Sequence, residues 1–93
     1  MEAADLTTTE RPAKYGPLVE SFDSIADILT LMLDETERET LALGIVPATV
    51  VLKTHVATKM IRNSYSPEDS DHRRDAVGYL GLLDRYLDEK EGA

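Results

Sequence analysis

Apolar residues recur along this chain with a helical rhythm. From Leu18 the pattern runs Leu18, Phe22, Ile25, Leu29 and Met32, at spacings of 4, 3, 4 and 3, with Ile28 and Leu33 widening the stripe. That is the period of a helix burying one face. Asp23, Ser24, Asp27 and Thr30 occupy the opposite face. Gly16-Pro17 comes just before, and proline suits the first helical position, so the pattern predicts a helix over 17–34. A second helix is predicted over 48–64, entered through Pro47, with Val51, Leu52, Val56 and Met60 inward. Its Thr49-Val50-Val51 run is β-branched and would suit a strand, but the chain offers no second strand to pair with it. A third helix is predicted over 67–89. Ser66-Pro67-Glu68-Asp69 reads there as an N-cap, a first-turn proline and first-turn acids. Ala76, Tyr79 or Leu80, Leu83 and Leu87 form its stripe.

Between these helices the pattern is weaker. Asp34 to Arg38 is charged, and Thr36 and Glu39 fit a capping box for a short helix ending at Gly44. Alternatively the first helix runs on to about 43. Residues 1–14 have no apolar period and read as a flexible acidic tail, and 90–93 read as a frayed end. The expectation is therefore an all-α fold, a small antiparallel bundle of three main helices with or without a fourth short one, in one domain over 15–89. Phe22, Ile25, Leu29, Val56, Met60, Tyr79, Leu80 and Leu83 are its expected core. Four tyrosines and one phenylalanine in 93 residues make that core thin. Completion by a homo-oligomer, most simply a two-fold dimer, is expected. Gly78 and Gly81 each cost about 1 kcal/mol relative to alanine inside a helix, and would let another helix approach closely.

Charge narrows the partners. Ten Lys+Arg stand against 18 Asp+Glu, a net charge of −8. A direct nucleic-acid binder needs a basic footprint, and an anionic membrane would repel this chain. No run approaches the ~20 apolar residues of a membrane span, and Met1 to Glu10 lacks the features of a signal peptide. A cytoplasmic location is expected. Cysteine is absent, which excludes thiol catalysis, disulfides and thiolate metal sites. The acid excess lies in residues 1–46, with three bases against ten acids, whereas 47–93 carry seven against eight.

Three constellations could carry chemistry. Asp71 and Asp75 are one helical turn apart, so both point the same way. Such a pair can hold a hard cation such as Mg²⁺, which favours one or two carboxylates plus phosphate oxygens. First-turn acids are also what a helix dipole favours without any metal. His55, Lys59 and Arg62 share a face of the second helix and could bind a phosphate. They could equally pair with the Asp71/Asp75 face, or snorkel at the edge of the core. Lys14-Tyr15-Gly16 precedes the first helix, with Glu20 one turn in; Tyr15 could stack on a base or anchor a turn. Nucleophile elbows, phosphate-cradling glycine loops, H-E-x-x-H and EF-hand loops are all missing.

Together these blocks resemble a known pattern. Lys14-Tyr15-Gly16-Pro17-Leu18-Val19-Glu20-Ser21-Phe22, followed by Ile25-Ala26, is similar to the opening of a small domain of unknown function common in phages and prophages. Lys59 to Arg62 resembles that domain's K-x-A-R helix, and Asp71, Asp75, Val77-Gly78 and Tyr79 its closing D-x-x-x-D-x-A-G-Y. The resemblance spans about residues 14–87, with Pro17 where aspartate is usual and extra residues at Asp34 to Leu43. The last helix also looks distantly like that of the MazG-type nucleoside triphosphate pyrophosphatases, which hold Mg²⁺ on two acidic helices. Asp71 and Asp75 resemble the second of these; the first is missing, since His55, Lys59 and Arg62 stand in its place.

The resemblance implies a non-catalytic viral accessory protein in the host cytoplasm. It would bind a nucleotide-like ligand or a host protein through Tyr15, Glu20, His55, Lys59, Arg62, Asp71, Asp75 and Tyr79. The alternatives are a Mg²⁺-dependent pyrophosphohydrolase with metal on Asp71 and Asp75, and a structural dimer or acidic decoy of a DNA-binding partner.

Overall fold

The computed structural model describes residues 16–92. Four helices follow one another: α1 (Leu18–Met32), α2 (Glu35–Ala42), α3 (Ala48–Tyr65) and α4 (Ser70–Gly92). No strand occurs among the described residues, and Thr49-Val50-Val51 lies within α3. The β-branched residues of α3 are accommodated by back-bonding. The Thr54 and Thr58 hydroxyls donate to the carbonyls of Val50 and Thr54, one turn earlier. The expected tail over 1–14 lies outside the described residues.

Two expected boundaries shift for identifiable reasons. The segment after α1 is a separate helix, and its capping box is Asp34/Glu37, not Thr36/Glu39. Asp34 Oδ1 accepts from the Glu37 N–H at 2.7 Å while Glu37 Oε1 accepts from the Asp34 N–H at 2.9 Å. Gly44, at φ +85°, then takes the left-handed conformation that ends the segment. The last helix begins at Ser70, because Ser66 closes α3 and Pro67-Glu68 form a turn. Asp69 caps it, its carboxylate accepting from the Asp71 N–H at 3.0 Å. Its far end stays helical to Gly92.

α3 is the central element, with α4 packed along it and α1 packed on another side; α1 and α4 barely touch. Both neighbours run antiparallel to it. The start of α1 meets the end of α3 where Tyr65 lies under Gly16, and the end of α1 meets its start where Lys53 donates to the Met32 carbonyl. The buried apolar residues are few and mostly small: Ile25, Val50, Val56, Ala57 and Ala76. Of the expected core, Ile25 and Val56 are buried and Leu29, Tyr79 and Leu83 half-buried, whereas Phe22, Met60 and Leu80 are exposed. Those three sit on the flanks of their stripes, where only a further helix would cover them. A Cβ at Gly78 or Gly81 would meet nothing within 4 Å, so none of the described helices uses the space they leave.

Candidate functional site on the α3–α4 face

The antiparallel register of α3 and α4 brings their polar positions together in rungs. Lys59 Nζ pairs with Asp75 Oδ2 at 2.9 Å. One turn back along α3 and one turn on along α4, the His55 and Tyr79 rings stack, centroids 4.4 Å apart and planes 8° from parallel. Spacing of four on each helix puts both rungs on one flank of the pair. Lys59 is largely covered while Asp75 is about half exposed, so the ion pair opens to solvent on its acidic side. His55 is exposed and Tyr79 half-buried, so the stack also opens outward. Beside these rungs runs an open groove of about 510 Å³, lined by Arg74, Asp75, Gly78, Tyr79 and Leu82. Among the described residues Arg74 carries no ion pair, which leaves its charge available at the groove.

The other expected site residues are distributed differently. Asp71 is exposed in the first turn of α4. Asp75 is committed to Lys59, and among the described residues no three His, Asp or Glu side chains gather as a metal site. A Mg²⁺ on Asp71 and Asp75 would therefore have to share Asp75 with the Lys59 ammonium. Arg62 stands one turn beyond Lys59 on α3. Glu20 lies away from this flank, near the Tyr65 hydroxyl. Burial pushes the Tyr65 hydroxyl above its ordinary pKa, and the Glu20 charge and hydrogen bond add to this. Gly16 is fixed at the same place: its φ is +84°, and an added Cβ would lie 2.6 Å from the Tyr65 ring. Tyr15 lies outside the described residues.

A second polar network was not foreseen. Glu37 is buried at the α2–α3 junction, where Lys53 Nζ meets Oε1 at 2.7 Å and the Thr49 hydroxyl donates to Oε2. Burial alone would raise the Glu37 pKa. The hydrogen bonds from Lys53, Thr49 and the Asp34 backbone, with the Lys53 charge, outweigh it and hold the carboxyl below its ordinary value. This network fixes α2 onto α3 and lies apart from the groove residues. Elsewhere His72 is buried in the first turn of α4, its Nε2 3.9 Å from Asp69 Oδ2.

Fold and face together define a small all-α domain with a polar, ring-stacked flank on one helix pair. Residues 1–87 match DUF6378, a domain of unknown function, and the chain belongs to that family. No curated protein and no solved structure matches it.

Proposed function

We propose that this chain is a small, non-catalytic accessory module of viral type that binds a nucleotide-like ligand on the α3–α4 flank. The observation that carries the reading is the His55–Tyr79 stack beside a groove that holds Arg74. A planar base adds to an exposed aromatic pair with little penalty, since stacking tolerates any base. A guanidinium within the same groove supplies a fork for phosphate oxygens. The Lys59–Asp75 pair fixes the two helices in register rather than serving the ligand.

A thermal-shift screen with nucleoside triphosphates, nucleosides and inorganic phosphate, each with and without Mg²⁺, tests it. Ligands that bind only the folded state raise the melting temperature by mass action. The reading expects a rise with nucleotides that does not require Mg²⁺ and leaves the triphosphate intact. A rise seen only with Mg²⁺, with pyrophosphate released, would replace it by the pyrophosphohydrolase. No rise with any of them would favour a host-protein or decoy role.

A further inference from the structure

Helix α4 carries a second stripe that nothing among the described residues covers. Its inward face runs His72, Ala76, Tyr79, Leu83 and Tyr86, all buried or half-buried. A different face runs Arg73, Val77, Leu80, Asp84, Leu87 and Glu91, again at spacings of 4, 3, 4, 3 and 4, and every one of these is exposed. Val77, Leu80 and Leu87 are 68%, 50% and 47% open to solvent. Such a regular 3.5-residue repeat is what helices use to pair with another helix. A solvated helix face has no reason to hold it.

We infer that this stripe is the contact between two copies of the chain, with the α4 helices antiparallel across a two-fold axis. Charge complementarity selects a second copy and fixes the direction. The stripe is basic at its beginning, where the exposed Arg73 is held through one guanidinium nitrogen by Asn63 Oδ1 and the Pro67 carbonyl and keeps its other donors in solvent, and acidic further on, at Asp84 and Glu91. Antiparallel pairing that sets each Arg73 opposite Glu91 of the other copy also brings each Val77 against Leu87, with Leu80 near the two-fold; parallel pairing would stack like charges. The two-fold makes the contact self-complementary, so the assembly closes at two.

The need for a second chain follows from the core. Five apolar residues are buried among the 77 described, and no large side chain is fully buried. A thin core in a small domain is commonly supplemented by disulfides, a structural metal or a partner chain. The sequence has no cysteine, and no metal-binding cluster occurs among the described residues. The inference is independent of the ligand reading, because Arg73, Val77 and Leu80 do not line the groove.

Sedimentation equilibrium on the full chain at micromolar concentration tests it. The expected mass is about twice 10.3 kDa. Val77→Glu and Leu80→Glu should each weaken the dimer about tenfold or more, with helix content by circular dichroism retained, because both sites are exposed within one chain. Phe22→Glu, on an exposed position of α1, should leave the mass unchanged. Arg73→Glu should weaken the dimer, and adding Asp84→Arg and Glu91→Arg to it should restore it. A wild-type mass of one chain overturns the inference. So does a dimer that survives both Val77→Glu and Leu80→Glu, since a partner would then be seated elsewhere.

Discussion

Glu37 shows how a single carboxylate can hold two elements at once. It closes the cap of α2 through the Asp34 N–H and meets Lys53 and Thr49 of α3 while buried. Glu37→Gln keeps the shape and removes the charge, leaving the largely covered Lys53 without its main partner. A loss of about 2 kcal/mol is expected, the usual worth of hydrogen bonds to charged groups, read from urea unfolding at neutral pH. The pH dependence has a definite sign. A carboxyl whose folded pKa is depressed contributes stability that is full above its unfolded pKa and is lost as pH falls through the folded value. The gap between wild type and Glu37→Gln should therefore shrink as pH falls below the ordinary carboxylate range. A gap that stays constant into acid would contradict the account. The site was only half visible in the sequence. Asp34-x-x-Glu37 and Thr36-x-x-Glu39 are overlapping boxes of similar local merit. What separates them is Thr49 and Lys53, more than ten residues further on, which no local pattern weighs.

Helix periods and breakers account for where the elements lie. The stripe from Leu18, the two prolines and the glycines at 16 and 44 place α1 and α3 to within a residue or two. The start of α4 was harder, because Ser66-Pro67 imitates a cap while Asp69 provides the real one. Register was legible at one rung only: Lys59 meets the Asp71/Asp75 side of α4, at Asp75, whereas the His55–Tyr79 stack one turn away carried no signal in the sequence. Arg74 was missed because an Arg73-Arg74 pair within a helix carries no period that singles out either arginine. Gly81 gives a direct element-scale test. It is an interior helix position with open space at its Cβ, so Gly81→Ala should raise stability by about 0.5–1 kcal/mol. Thermal unfolding that shows a loss instead would mean that something outside the chain packs on that face.

For the whole molecule, the consequence is a scaffold with more helix surface than one chain buries. Phe22 at 56% exposure, with Met60 and Leu80, shows that correct helical periodicity does not guarantee burial when only three long helices are available to cover one another. The chain's net charge of −8 disfavours anionic ligands at long range, so any phosphate must be recognised locally, at Arg74. Chemical-shift mapping of the ¹⁵N-labelled chain during titration with a nucleoside triphosphate, repeated on Arg74→Ala, tests this reading most directly. The account predicts shifts concentrated at His55, Arg74, Asp75, Gly78, Tyr79 and Leu82, saturating, and weakened several-fold by Arg74→Ala. Shifts that centre on the Glu37–Lys53 junction, or none at millimolar nucleotide, would contradict it.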